Sequence, residues 1–84
     1  MDTALRLSNS LDFAFQASIF TNDLSEAMSA FSNLDATAVM INDHTAFRVD
    51  WMPFAGRRQS GYGTGGIGYT MEDMTQLKMA VINT

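Results

Sequence analysis

The 84-residue sequence contains no cysteine, one proline and one histidine. Without cysteine, the chain can form no disulfide, no thiolate metal site and no thiol nucleophile of its own. Basic residues are also scarce, because five Lys and Arg stand against nine Asp and Glu, for a net charge of −4. This balance argues against a surface that follows phosphates, so we expect no nucleic-acid partner.

Long apolar runs are missing as well. No stretch approaches the roughly 18 apolar residues that a membrane-spanning helix requires. The first residues, Met1–Thr3, do not begin the basic and then apolar pattern of a secretory signal. We therefore expect a cytoplasmic protein without a membrane partner.

The composition predicts a folded chain that needs help to stay folded. Hydrophobic residues make up 46% and charged residues 17% of the sequence, which is too apolar for disorder. Residues 1–84 form one segment at most, and a domain of this size buries only about 60% of its unfolded surface. Since disulfides are excluded, association is the remaining source of stability, and we expect a homo-oligomer.

The first half of the sequence predicts a strand, a helix and a strand. The aromatic and β-branched run Phe13–Thr21 is typical of a strand. Asp23 and Glu26 form a capping-box pattern in which each side chain would reach the other residue's amide. The short apolar run Thr37–Ile41 predicts a second strand, buried in a parallel sheet. The helix between them would bury one stripe, formed by Leu24, Ala27, Met28, Phe31 and Leu34. The fold class is therefore α/β, with a βαβ unit.

The second half begins with a long loop that is rich in glycine. The only Trp and Pro and all six Gly lie in the segment His44–Gly68, and loops of this length are usually functional. A helix capped by Thr70 should follow, with Met71, Met74 and Leu77 on one face. The run Met79–Ile82 predicts a final strand.

Two motifs in this loop resemble functional sites, but we assign neither of them a function. Gly63–Gly68 matches the G-x-G-x-x-G pattern of dinucleotide sites, but it follows a polar loop instead of a strand, so we reject that assignment. Asp43, His44, Asp50 and Ser60 have the residue types of a hydrolase triad or a metal site, but the sequence around Ser60 matches no known nucleophile motif. We assign no catalytic, cofactor-binding or metal-binding residue, and we expect His44 and the two Asp residues to form hydrogen bonds within the loop.

The arginines of the loop leave alternatives open. Arg48 stands among apolar and aromatic neighbours, where a guanidinium could bind a planar anion. It could equally pair with Asp50 or Asp43. Arg57 and Arg58 are typical of a solvated turn.

The order of these features resembles the C-terminal stretch of the aldehyde dehydrogenase superfamily. The resemblance rests on Phe20-Thr21-Asn22-Asp23-Leu24, a helix, a strand that ends in Asn42, and Pro53-Phe54-Ala55-Gly56-Arg57-Arg58-Gln59-Ser60-Gly61-Tyr62-Gly63. It covers essentially the whole chain. The departures are an arginine, Arg58, where the family usually has Lys, and other residues at usual glycine positions: Ala14, Thr37 and Ala55. At those glycine positions the backbone is either ordinary or strained.

The resemblance implies an enzyme in which a cysteine thiolate attacks an aldehyde, hydride passes to NAD or NADP, and a glutamate activates water. The cysteine is missing here, and in the family the cofactor domain and the glutamate precede this region. The resemblance implies that this region is the incomplete βαβ end of the catalytic domain, with a substrate loop and an oligomerisation strand. By position, the substrate-lining residues are Asn42, Phe47, Arg48 and Phe54, and Val81 and Ile82 join the subunit pairing.

Three hypotheses follow from the sequence. The first is a C-terminal fragment of an NAD(P)-dependent aldehyde dehydrogenase, inactive alone, whose parent resembles the phosphonoacetaldehyde and lactaldehyde branch. The second is a self-associating interaction module derived from the same family, with domain swapping as one route to pairing. The third is a small anion-binding protein that uses Arg48, Arg57 and Arg58.

Overall fold

The computed structural model describes residues 1–84 and has the predicted α/β class. The chain contains three helices and four short strands, with two strands between each pair of successive helices. In chain order they are α1 (Asp2–Asn9), β1 (Phe13–Ala14), β2 (Gln16–Ile19), α2 (Leu24–Asn33), β3 (Ala38–Ile41), β4 (Arg57–Arg58) and α3 (Ile67–Asp73).

The predicted βαβ unit is present. β2 and β3 pair in parallel, in a register that runs from Gln16 opposite Ala38 to Ile19 opposite Ile41. α2 connects them and begins at its predicted cap, since Oδ1 of Asp23 accepts a hydrogen bond from the Glu26 amide at 3.1 Å. The return half of the capping box was wrong. The Glu26 carboxylate instead contacts the Thr21 hydroxyl at 2.5 Å, and the same hydroxyl oxygen accepts from the Asp23 amide at 3.1 Å.

The predicted strand Phe13–Thr21 is divided into β1 and β2, because its two halves pair with different partners. The carbonyls of Phe15 and Ile19 accept from Thr37 and Asn42 on the β3 side, at 2.8 Å each. The Asp12 carbonyl accepts from Gln59, which follows β4, at 2.9 Å. Successive residues of an extended chain direct their backbone groups to opposite edges. β3 and β4 therefore lie on opposite edges of one extended segment.

The core is very small. Only four residues are buried: Ile19, Ala27, Ala30 and Met40. The predicted helical stripe was therefore wrong in part, because Leu24, Met28 and Phe31 are 76%, 51% and 55% exposed. Positions 27, 30 and 34 lie on one side of a helix with 3.6 residues per turn, and positions 24, 28 and 31 lie on the neighbouring side. The small alanines face the sheet and the large apolar side chains do not.

The C-terminal elements differ from the prediction. α3 begins at Ile67 after Gly66, not after Thr70, whose amide is already bonded within the helix to the Gly66 carbonyl at 2.8 Å. No strand forms at Met79–Ile82. A strand needs a neighbouring strand to bind its amides and carbonyls, and no segment of this chain pairs with Met79–Ile82. The side chains of these four residues are exposed.

The chain is elongated, with a radius of gyration of 17.8 Å, whereas a compact chain of this length would have about 12 Å. Its accessible surface is 6820 Å², against about 4,900 Å² for a compact protein of the same mass. The excess of about 1,900 Å² is roughly twice what one partner contributes to a standard interface. None of the three helices has the length and apolarity needed to cross a membrane.

Two glycines provide a matched test of the packing around β4. A Cβ at Gly56 would lie 2.6 Å from the backbone carbonyl of Ser60, whereas a Cβ at Gly68 in α3 would have nothing within 4 Å. We expect Gly56→Ala to destabilise the fold by about 1–3 kcal/mol through this overlap. Gly68→Ala should be neutral or stabilise by up to about 1 kcal/mol. Urea unfolding followed by circular dichroism measures both stabilities. Equal unfolding midpoints for the two variants would show that Gly56 does not pack against the Ser60 carbonyl.

Candidate functional site

A cleft lies between the first strands and the glycine-bearing segment. The rings of Phe15 and Phe54 meet edge to face there, with centroids 4.8 Å apart and planes at 88°. Phe54 is fixed by two backbone hydrogen bonds to Gly65, of 3.0 and 2.7 Å. The cleft has a volume of about 780 Å³ and polar as well as apolar walls, with Gln59 and Ser60 on the polar side. It is wide enough for a small organic substrate.

Arg48 is stacked on the ring of Phe54. Its guanidinium carbon lies 4.1 Å from the ring centroid, a cation–π arrangement. The ion pairs of the chain join Asp35 to two arginines, and none involves Arg48. The predicted alternative of pairing with Asp43 or Asp50 was therefore wrong. A stacked guanidinium keeps its N–H groups in the plane of the fork, free to meet an anion.

The other two predicted substrate residues lie elsewhere. Phe47 lines a separate cleft of about 330 Å³ beside β3, with Met52 and Asp43. Asn42 has a left-handed backbone with φ of 60°. Its side-chain Oδ1 accepts from the Thr21 backbone amide at 2.9 Å, and its backbone amide donates to the Ile19 carbonyl at 2.8 Å. Asn42 thus joins the ends of β2 and β3, and among the four predicted residues the structure stacks Arg48 on Phe54.

The glycine segment does not fit a dinucleotide. A pyrophosphate site needs free amides at a helix N-terminus, but the Gly65 and Ile67 amides already donate to the carbonyls of Phe54 and Asp50, at 2.7 and 3.0 Å. Gly66 is required because a Cβ there would lie 2.6 Å from the Met52 carbonyl oxygen, and its φ is 113°. The close approach that this glycine permits is to the chain itself.

The residues of the rejected triad do not form a hydrogen-bonded chain of Ser, His and Asp side chains. Nδ1 of His44 accepts from the Ala46 amide at 3.1 Å, and the His44 amide donates to the Asp43 carboxylate at 2.7 Å. The Ser60 hydroxyl accepts from the Ala14 amide at 2.9 Å. These contacts are the local hydrogen bonds expected for Asp43 and His44. Asp50 contributes only its backbone carbonyl, which accepts from Ile67 at 3.0 Å. No group of three His, Cys, Asp or Glu side chains could hold a metal ion.

One polar cluster was missed by the sequence reasoning. Arg57 and Arg58 do not form a solvated turn, because both donate to the Asp35 carboxylate: Nη1 of Arg57 at 2.8 Å and Nε of Arg58 at 2.8 Å. Hydrogen bonds from Arg57 and then Arg58 hold the pKa of Asp35 below its usual value. Asp35 follows α2 and lies 22 residues before Arg57, so no local pattern could have joined them. The predicted three-arginine anion site fails, since two of its members are already paired.

Together these observations define a βαβ unit with a glycine-bearing segment folded onto its first strand and an aromatic cleft between them. The profile of the aldehyde dehydrogenase family matches residues 1–80. The chain therefore belongs to the aldehyde dehydrogenase family, which confirms the resemblance.

Individual relatives agree with this result. The chain is 46% identical over 82 residues to aspartate-semialdehyde dehydrogenase 1 of Pseudomonas canavaninivorans, covering 98% of this chain and 17% of that protein. It is 40% identical to lactaldehyde dehydrogenase of Methanococcus maripaludis, covering 98% of this chain and 18% of that protein. Its structure resembles glyceraldehyde-3-phosphate dehydrogenase GapN of Methanocaldococcus jannaschii complexed with NADP, with a TM-score of 0.86, 38% identity and coverage of 92% and 17%. The chain thus spans about a sixth of these relatives.

Proposed function

We propose that this chain is the C-terminal segment of an NAD(P)-dependent aldehyde dehydrogenase that oxidises an aldehyde to a carboxylic acid, and that the segment does no chemistry alone. The observation that carries the proposal is a family match to residues 1–80 that spans only about 17% of the relatives' length. The 84 residues contain no cysteine, and two amides of their glycine segment, those of Gly65 and Ile67, already donate to carbonyls of the chain. NADP is bound by the structural relative GapN.

Within such an enzyme, the segment would form one wall of the substrate route. Phe54 supplies an apolar surface for the aldehyde chain, and its ring is held by Phe15 and by the pairing with Gly65. Phe47 and Asn42 would contribute from neighbouring positions. Asn42 would do so through its side-chain NH₂, because its Oδ1 is already bonded to the Thr21 amide.

Arg48 would recognise an anionic group at the far end of the aldehyde. In support, the guanidinium is stacked on Phe54 and donates to no acceptor in the chain, so a phosphonate or carboxylate could be bound in a bidentate manner. The names of two relatives contain a carboxylate-bearing and a phosphate-bearing aldehyde. Lactaldehyde, in the name of the third, is neutral. An uncharged aldehyde is therefore the alternative substrate.

A second candidate function is self-association, with or without a role in a larger enzyme. It is favoured by the exposed tail that follows α3, where Leu77, Met79, Val81 and Ile82 are 82% exposed or more. These residues would form the predicted oligomerisation strand on an edge supplied by another chain, and domain swapping is one way to supply it. The surface excess is large enough for such an interface.

We expect the 84-residue chain to produce no reduced nicotinamide from any aldehyde, with either NAD or NADP, because it provides no thiol for the covalent adduct. The measurement is the absorbance of reduced cofactor, with a full-length family member as the positive control. Turnover that increases with the concentration of the 84-residue chain would show that the chain is an enzyme by itself.

We expect methylphosphonate to bind the chain weakly and Arg48→Ala to weaken that binding about tenfold, because a charge-assisted hydrogen bond is lost. Arg6→Ala, on exposed α1, is the matched control and should leave the affinity unchanged. NMR titration measures all three proteins. Identical curves for the native chain and Arg48→Ala would remove Arg48 from the proposed anion site.

We expect the native chain to sediment as a dimer or larger, and Val81→Asp to raise the dissociation constant by tenfold or more, since a charge would be buried in the new interface. Thr84→Asp adds the same charge beyond the apolar run and should have little effect. Sedimentation equilibrium distinguishes the outcomes. A native chain that remains monomeric at working concentrations would exclude self-association.

A further inference from the structure

Asp35 lies where four parts of the chain meet. Its two carboxylate oxygens accept from Arg57 and Arg58 of β4, and its backbone amide donates to the side chain of Asn9, at the end of α1, at 2.9 Å. Arg58 continues the network, because its Nη1 donates to the Asn9 carbonyl at 3.0 Å and also to that of Leu11, just before β1. We infer that Asp35 is a positioning residue that holds β4 on β1 and thereby places Phe54, on whose ring Arg48 is stacked, at the cleft.

The first argument is that β4 cannot hold itself in place. The ladder between β1 and β4 is two residues long, which is far too short for a stable pair of strands. Neither Arg57 nor Arg58 packs its side chain into a core, since both are exposed. The additional contacts that β4 makes are the side-chain bonds of both arginines to Asp35 and those of Arg58 to the carbonyls of Asn9 and Leu11.

The second argument comes from the backbone of Arg58. Its φ is 52°, in the left-handed region that non-glycine residues seldom adopt. Such a conformation persists only where the surrounding contacts impose it. Here the guanidinium is bonded to one carboxylate and two backbone carbonyls, so the contacts that offset the strain all lie within this network.

The third argument connects the network to the cleft. Gly56 immediately precedes β4 and Phe54 lies three residues before it, while Ser60, which accepts from the Ala14 amide, lies two residues after it. A shift of β4 would therefore move both walls of the cleft. The meaning of this cleft as a substrate route rests on the proposed function, but the positioning itself is a property of the chain and can be tested without any activity.

The test is amide hydrogen exchange, residue by residue, on the full 84-residue chain. In Asp35→Asn, we expect the Gln59 and Ala14 amides, which bind the β1–β4 region, to exchange several-fold faster than in the native chain. The Asn42 and Ala27 amides, in the βαβ unit, should keep their protection. Asp50→Asn, which removes a carboxylate without an ion pair in the same half of the chain, is the matched control and should change neither group.

Two further arms separate positioning from general stability. Asp35→Glu keeps the charge and should restore most of the protection at Gln59. In the native chain, the pKa of Asp35 is lowered from 3.8, so the carboxylate's contribution is present above that pH and is lost as the pH falls through the lower folded value. The charged groups facing Asp35 are Arg57 and Arg58, and neither loses its proton in this range. Protection at Gln59 relative to Asn42 should therefore fall in strong acid in the native chain but not in Asp35→Asn.

Unchanged exchange at Gln59 and Ala14 in Asp35→Asn would overturn the inference. Equal acceleration at all four amides would overturn it too, since Asp35 would then stabilise the whole fold without positioning β4. If Asp35→Asn fails to fold, Arg57→Gln and Arg58→Gln decide the question. Arg58 makes most of the contacts, so Arg58→Gln should accelerate Gln59 exchange more than Arg57→Gln, and equal effects would contradict the inference.

Discussion

The structure depends on one extended segment, Phe13–Ile19, that forms hydrogen bonds along both of its edges. One edge carries β3 and, through it, the βαβ unit, while the other carries β4 and the glycine-bearing segment. Because only four residues of the chain are buried, apolar packing does little to hold these parts together. Backbone pairing and the Asp35 network replace a core, and the aromatic cleft forms where β1 and the segment around β4 lie side by side.

The parts that could be predicted from the sequence depend on near neighbours. Asp23 caps helix α2 through the amide of Glu26, only three residues away. Short apolar runs predict the two strands of the βαβ unit. The predictions that were wrong concern residues whose packing or pairing partners lie far away in the sequence or are absent from this chain. Hydrophobicity alone could not show that the small Ala27 and Ala30 would face the sheet, and Met79–Ile82 has strand character but no strand beside it. Of the site, the resemblance named Arg48 and Phe54 as substrate residues, but the stacking of one on the other is known only from the structure.

The departures from the family's glycine pattern turn out to be of different kinds. Ala14, Thr37 and Ala55 all have ordinary negative φ, since only Asn42 and Arg58 among non-glycine residues have positive values. The extra side chains therefore add no backbone strain. At Thr37, however, the hydroxyl is buried without a hydrogen-bond partner, a cost that glycine at the same position would not carry. The strained backbone lies at Arg58, where the family usually has lysine.

Helix α2 has an apolar surface on two adjacent sides, and only the side formed by alanines is covered. Complete burial of such a side chain contributes about 1.5–3 kcal/mol, and Leu24, Met28 and Phe31, which are half to three-quarters exposed, realise only part of it in this chain. A helix built in this way is a middle layer, suited to be enclosed between a sheet and further protein. The stability of this helix should therefore increase whenever further protein covers its second side.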